Sequence, residues 1–150
     1  MVRINRYTAK LVKENGGLYD LEDKVINNPY NVHKLIQTVL DLHNSTVEKF
    51  GILTLDTKNN VIGIHIISIG SLNASIVHPR EVFQQAILNN ACSILLFHNH
   101  PSGDTTPSPQ DIDVTDRLVK AGGILGIHVL DHVIVGDVNH YTSLKEINLM

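Results

Sequence analysis

The chain has few cysteines and no long apolar run, the features that cross-link small secreted domains or anchor proteins in membranes. It contains a single cysteine, Cys92, among 150 residues, which excludes an internal disulfide framework and a cysteine-rich zinc site. No stretch approaches the roughly 20 consecutive apolar residues that a membrane span needs, and the start, MVRINRYTAK, lacks the apolar centre of a secretory signal. We therefore expect a cytoplasmic protein without a membrane partner.

An excess of charge is also missing. Twelve basic residues against fifteen acidic ones leave a net charge of -3, which gives no general attraction to nucleic acid. Only the N-terminus is basic, because Arg3, Arg6, Lys10 and Lys13 precede the first acidic residue, Glu14. Short charge runs are mostly solvated, so we interpret this one as an exposed face, with contact to an acidic partner as the alternative.

The first half of the chain contains three predicted elements within what we expect to be one structural unit. Residues 1–45 form an N-terminal region, in which loose alternation before ENGG predicts a strand or hairpin. Apolar residues at helical spacing then predict an amphipathic helix over residues 31–43. The segments KFGILTLD and VIGIHIISIG, separated by the polar turn TKNN, predict two antiparallel strands of a hairpin.

The second half alternates helices and strands. HPREVFQQAILNNA predicts a helix, and the continuously apolar CSILLFH predicts a strand buried on both faces. SPQDIDVTDRLVKAGG predicts a helix capped by Ser108 and ended by Gly122 or Gly123, and GIHVLDHVIVG predicts one or two closing strands. The pattern indicates a single layered α/β domain with a mixed sheet flanked by helices.

The stretch LLFHNHPSGDTTPSPQD, residues 95–111, contains the candidate metal ligands. Side chains alternate along a strand, so His98 and His100 point the same way, while Asn99 points the other way and is assigned a structural role. Asp111, in the first turn of the following helix, could add a carboxylate. Two imidazoles and one carboxylate around zinc leave a position open for water, which is the catalytic arrangement.

A purely structural interpretation of the same stretch is equally consistent with the local pattern. SPQD is a capping box, in which Asp111 would bond the backbone of Ser108, and a His-x-His pair is common. The two roles are compatible, and local chemistry leaves the choice open. A His-Glu-x-x-His helix, paired cysteines and a Gly-x-Ser-x-Gly elbow are all absent from the sequence, so the competing catalytic patterns are removed.

The stretch matches the core motif of the JAMM (JAB/MPN+) metalloprotease superfamily. In that motif, a His-x-His pair is followed after seven residues by Ser and after two more by Asp. HNHPSG resembles its bacterial RadC branch in particular, as do the flanks GSLNASIVHPREVFQQAILNNACSILLF and VLDHVIVG. The likeness extends over about residues 46–146, and we treat residues 46–150 as a RadC-like domain. It implies the JAB/MPN architecture, a largely antiparallel curved sheet similar to that of cytidine deaminases.

The resemblance also implies roles for individual residues. His98, His100 and Asp111 would be ligands of one zinc ion per chain, and Ser108 would help to hold the developing oxyanion. The family places its catalytic glutamate six residues before a Leu-Asp pair, a position that Glu48 occupies here. The residues alone would not have distinguished Glu48 from the other glutamates. The implied reaction is metal-assisted hydrolysis of a peptide or isopeptide amide, with Glu48 as the general base.

Two rival interpretations remain at this point. One is a DNA-associated RadC-type protein, linked to DNA repair or mobile elements, without peptidase activity. Full RadC proteins carry a helical region before this domain, whereas here about 45 residues of different pattern precede it, as in short stand-alone versions associated with mobile elements. The other rival is an interaction domain without metal, against which the complete ligand set argues. A homodimer is compatible with either.

The other strand and helix-start histidines are assigned structural roles. They are His65, His78, His128 and His132. His132 follows Asp131 in the family-like DHVIVG, so support of the metal ligands from behind is the alternative for that residue.

Overall fold

The computed structural model describes residues 1–72 and 77–150 and shows an α/β domain with one five-stranded sheet and three α-helices. In chain order the elements are α1 (Pro29–Leu40), a short 3-10 helix (Leu42–Asn44), β1 (Lys49–Leu55), β2 (Val61–Ile69), α2 (Pro79–Leu88), β3 (Ser93–Asn99), α3 (Pro109–Leu125), β4 (His128–Val135) and β5 (Tyr141–Ser143). The predicted fold class is confirmed.

The sheet has the order β2-β1-β3-β4-β5 and is mixed. The predicted hairpin forms, with β1 antiparallel to both β2 and β3, whereas β3 and β4 are parallel. A parallel pair needs a crossover between its strands, and α3 supplies it. The start of α3 therefore lies near the end of β3, which brings the two parts of the candidate site together.

Both faces of β3 are buried, as its apolar run predicts. One core lies under α2 and α3 and contains Leu96 with Phe83 and Leu118, and the opposite core lies under α1 and contains Phe97 with Ile36. His98 follows Leu96 by two positions and so faces α3, whereas Asn99 follows Phe97 by two positions and faces the opposite side. Alternation along one buried strand thus decides which side of the sheet carries the histidines.

The predicted N-terminal strand or hairpin is wrong. Residues 1–24 form no helix or strand, and Val2, Ile4 and Tyr7 are each at least 86% exposed. Alternation stabilises a strand only when one face is covered, and no element covers this one within the part of the chain that the structure describes. Directly after these residues, the described part of the chain forms one isolated β-bridge, between Val25 and Asn60. The basic residues of the segment lie exposed along it.

The predicted end of α3 is also wrong, because the helix continues through both glycines to Leu125. Gly126 caps it in the left-handed conformation, with φ of 70°, which glycine adopts without steric cost. Gly122 is instead a packing residue, since a Cβ there would lie 2.4 Å from the carbonyl oxygen of Ile127. GIHVLDHVIVG supplies β4 alone, and β5 follows it. No helix among residues 1–72 and 77–150 is long and apolar enough to cross a membrane.

Candidate metal centre

Two histidines and one aspartate converge where β3 ends and α3 begins. The Nε2 atoms of His98 and His100 lie 2.9 Å apart. Asp111 faces both, with Oδ1 at 3.1 Å from His98 Nε2 and Oδ2 at 3.2 Å from His100 Nε2. His98 and Asp111 are buried, and His100 is partly exposed. The structure therefore brings together the three residues that the sequence predicts as ligands.

The spacing of these atoms suits a small tetrahedral ion. Zn-N and Zn-O bonds of about 2.0 to 2.1 Å at tetrahedral angles place neighbouring ligand atoms about 3.3 Å apart. The two imidazoles lie slightly closer than that value, and each has a different oxygen of Asp111 at a similar distance, so the side chains would need to adjust to hold one ion. The set could hold a metal ion.

The protonation of His100 is determined by a backbone carbonyl. Its Nδ1 lies 2.7 Å from the carbonyl oxygen of Asp104, and a carbonyl oxygen can only accept. Nδ1 therefore carries a proton and donates it, which leaves Nε2, facing His98 and Asp111, as the nitrogen that can bind a metal ion. A neutral imidazole bound in this way is prepared as a metal ligand.

His98 reaches the same state through a buried chain of hydrogen bonds. The Thr115 hydroxyl donates to the Asp111 carbonyl oxygen at 2.6 Å, so its oxygen is left to accept from His132 Nδ1, also at 2.6 Å. His132 Nε2 must then accept from His98 Nδ1, at 2.7 Å. The Nε2 atom of His98 is consequently the ring nitrogen that faces Asp111 and can bind a metal ion when it carries no proton. The support from behind that was the alternative role of His132 is thus present in the geometry.

Burial keeps His132 neutral, as this chain of donors and acceptors requires. Desolvation lowers the pKa of its imidazole well below the ordinary value, and the nearby His98 lowers it further. A neutral His132 has one proton, on Nδ1, and one acceptor, on Nε2. Each donor in this series of hydrogen bonds then faces an acceptor, and each acceptor faces a donor.

The charge of the aspartate is also well defined. Burial by itself raises the pKa of Asp111, but its contacts with His100 and His98 outweigh burial and leave that pKa well below its ordinary value. In return, the contact with Asp111 raises the pKa of His100, although burial opposes the shift. Without metal, a proton on His100 Nε2 can pair with the carboxylate, so protons and metal compete for the same lone pair.

The capping box and the metal cluster share one carboxylate. Ser108 Oγ accepts from the Asp111 N-H at 3.1 Å, and Asp111 Oδ2 accepts from the Ser108 N-H at 2.8 Å. The predicted N-cap is therefore present. Because this bond aligns the Asp111 side chain with the start of α3, the cap orients the carboxylate toward the histidines and does not compete with that role.

Glu48 lies in the same cleft as these residues. The cleft has a volume of about 420 Å³ and is lined by Glu48, Ser71, Leu72, His100, Ser108 and Asp111, among others. Glu48 immediately precedes β1, and its Oε2 accepts from the Leu72 N-H at 2.9 Å. Its charge also raises the pKa of His100 slightly. Both residues that the resemblance implies as catalytic thus line the cleft beside the candidate ligands.

Sequence reasoning assigned Asn99 only a general structural role, and the structure shows a specific one. Its Oδ1 accepts from the Lys49 N-H at 2.7 Å, and its Nδ2 donates to the Val47 carbonyl oxygen at 3.1 Å. The carboxamide therefore binds the backbone on both sides of Glu48. No periodicity in the sequence indicates this contact, because Asn99 and Lys49 are 50 positions apart.

The central strand of the mixed sheet leads into two histidines, and these face an aspartate at the start of α3. This arrangement places the protein in the class of JAB-type domains with a potential metal site. Residues 26–149 match the family described as RadC-like JAB domain, and the chain belongs to that family.

Its relatives include proteins named UPF0758. One from Desulfitobacterium hafniense (strain DSM 10664 / DCB-2) is 56% identical over 122 residues, which cover 81% of this chain and 52% of that protein. One from Moorella thermoacetica is 52% identical over 132 residues, covering 88% of this chain and 56% of the relative. One from Methanococcoides burtonii is 64% identical over 94 residues, 63% of this chain and 41% of the relative. The chain thus spans about half the length of the curated relatives it matches, and their names state no activity.

Proposed function

We propose that the protein is a zinc-dependent hydrolase that cleaves a peptide or isopeptide amide bond. The observation that supports this most directly is the convergence of two imidazole Nε2 atoms and one carboxylate at a cleft. His98, His100 and Asp111 would hold the ion, and the cleft beside them would admit substrate. Two imidazoles and one carboxylate are a ligand set typical of catalytic zinc.

Zinc, when bound, would lower the pKa of a coordinated water to about 7 and polarise the carbonyl of the scissile amide. Glu48 takes a proton from the attacking water and passes it to the leaving amine, as a general base and then a general acid. The Leu72 N-H donates to Oε2 of Glu48 and so helps to hold the carboxylate in the cleft.

Ser108 supplies a donor for the oxygen that becomes negative during attack. Its Oγ accepts the Asp111 N-H, and accepting that bond does not use the hydroxyl proton. The hydroxyl can therefore cap α3 and donate into the cleft in the same conformation. A donor placed at a developing oxyanion contributes about 10² to 10³ in rate.

The proposal is tested by measuring bound zinc and the cleavage of a fluorogenic peptide library. His98→Ala should lose stoichiometric zinc, whereas Glu48→Gln should keep zinc and lose hydrolysis by at least about 10²-fold. Glu81→Gln, at an exposed glutamate in the first turn of α2, is the matched control and should behave as the wild type. Wild-type protein without stoichiometric zinc, or Glu48→Gln with full activity, would contradict the mechanism.

DNA binding is the rival function, and the exposed basic segment favours it. Arg3 and Arg6 lie in the exposed N-terminal segment, which forms no helix or strand. If DNA is the partner, affinity should fall steeply with salt, and replacing both arginines with alanine should weaken it. DNA binding of this kind, combined with no cleavage of any peptide, would replace the hydrolase proposal.

A further inference from the structure

Asn99 connects the strand of the metal ligands to the backbone of Glu48. It lies between His98 and His100 in sequence, and its side chain is 1% exposed, on the face of the sheet away from the metal cluster. Its two polar atoms both bond to the backbone that flanks Glu48, at Lys49 N and Val47 O. A buried carboxamide with both ends paired in this way is held in one orientation.

The carboxamide continues the sheet where the backbone ladder ends. The last backbone pair between β1 and β3 is Phe50 with His98. Beyond it, the pairing of β3 with β4 continues, and the His100 N-H donates to the Val135 carbonyl oxygen at 2.9 Å. The Asn99 side chain then presents a C=O and an N-H to Val47–Lys49, as a partner strand would.

Glu48 is consequently held from both sides. On the β2 side, the Gly70 N-H donates to its carbonyl oxygen at 2.8 Å and the Leu72 N-H donates to its carboxylate at 2.9 Å. On the β3 side, Asn99 binds the peptide groups that precede and follow it. Asn99 is the immediate neighbour in sequence of both candidate histidine ligands, so its path to the metal cluster is short and runs through the buried end of β3.

We propose that Asn99 is a positioning residue that sets the distance between the Glu48 carboxylate and the metal cluster. This inference rests on the proposed hydrolase function. A misplacement of the base by about 1 Å can cost about 10²-fold in rate. Loss of the carboxamide should therefore reduce the rate of proton transfer while leaving the three metal ligands intact.

The variants are Asn99→Ala, which removes both bonds, and Asn99→Ser, which keeps a small polar group. The matched control is Asn89→Ala. Its carboxamide also contacts β1, because Oδ1 accepts from the Thr54 hydroxyl at 2.6 Å, but it does so at the end of β1 remote from Glu48. The control therefore loses a similar side chain and contact without affecting the general base.

With the zinc-loaded protein, we expect Asn99→Ala to bind zinc as tightly as the wild type and to show a KM within about twofold. Its kcat should fall about 10- to 100-fold, and Asn89→Ala should be unaffected. In the Glu48→Gln background, Asn99→Ala should cause no further loss, since the group that it positions is already disabled. Loss of zinc, a kcat equal to that of the control, or an additive loss in the double variant would overturn the inference.

A crystallographic measurement makes the inference independent of activity. In zinc-loaded Asn99→Ala, the Glu48 carboxylate should move away from the metal or become disordered relative to the wild type. An unchanged carboxylate position would overturn the positioning role, even if no amide substrate is ever cleaved. Wild-type protein that cleaves no amide would instead contradict the hydrolase proposal alone. If Asn99→Ala and Asn99→Ser both fail to fold, Asn99 serves the fold and the inference is wrong.

Discussion

Replacing His132 with phenylalanine should weaken zinc binding at a site that His132 does not itself contact. His132 Nε2 is the acceptor for His98 Nδ1-H at 2.7 Å, and both rings are buried. Phenylalanine keeps a ring of similar shape beside Phe50, which meets His132 edge to face, but offers no acceptor. His98 Nδ1-H would then be buried without a partner if the ring stayed in its metal-binding state.

The loss of zinc-binding free energy follows from that one lost hydrogen bond. A buried donor without a partner costs about 1 to 3 kcal/mol. The zinc-free variant can avoid this cost by moving the proton to Nε2, where Asp111 Oδ1 lies 3.1 Å away. Zinc must then displace that proton and restore the unpaired donor, so the cost appears in binding. It corresponds to a loss of zinc affinity of about 5- to 150-fold, the range expected for groups behind a metal ligand.

The assay is a competition titration against a chromophoric zinc chelator at constant pH. Unfolding of the zinc-free protein in urea shows separately whether the variant is folded. His65→Phe is the matched control, because His65 contacts Asn89 and Thr54 and belongs to a different strand, β2. A folded His132→Phe protein with zinc affinity within twofold of the wild type would refute the assignment of the His98 proton.

Two further perturbations test other parts of the structure. Contact with Asp111 raises the pKa of His100 above 6.5 in the zinc-free protein, so zinc affinity should fall by up to about tenfold per pH unit below that raised pKa. Because the folded pKa is the higher one, this proton should stabilise the zinc-free protein fully below pH 6.5, and that contribution should disappear as the pH rises through the folded value. Calorimetry at pH 6 in buffers of different ionisation enthalpy measures the released proton, and finding none would contradict the assignment. Gly122→Ala should destabilise the protein by about 1 to 3 kcal/mol, since its Cβ would meet a backbone oxygen at 2.4 Å. Gly123→Ala, where nothing lies within 4 Å, should be neutral or stabilising by up to about 1 kcal/mol in urea unfolding, and equal effects of the two would refute the packing role.

Most elements of the fold are predictable because each has a local cause. The hairpin β1-β2 follows from two apolar runs around a polar turn, and β3 follows from a short apolar run that could only be buried. Two predictions failed because a local pattern was insufficient. The alternating apolar residues near Ile4 form no strand, because no other element covers one of their faces among the described residues. Gly122 does not end α3, because it is a packing residue within that helix.

The candidate ligands could also be predicted from the sequence, since strand alternation and helix capping at Ser108 depend on neighbouring residues only. The family resemblance was needed for Glu48, because its place in the cleft depends on the pairing of β1 with β3. Once β1 and β3 are antiparallel neighbours, the residues before β1 necessarily lie beside the end of β3.

The sequence by itself determined the order of the elements, the face of β3 that carries His98 and His100, and the capped helix start that presents Asp111. Only the tertiary structure decided that His132 lies behind His98 and that Asn99 binds the backbone around Glu48. The physical reason is that alternation and capping act over a few residues and are written in adjacent positions. The partner of a buried polar atom is instead chosen by the register between strands, which places residues 34 and 50 positions apart within hydrogen-bonding distance.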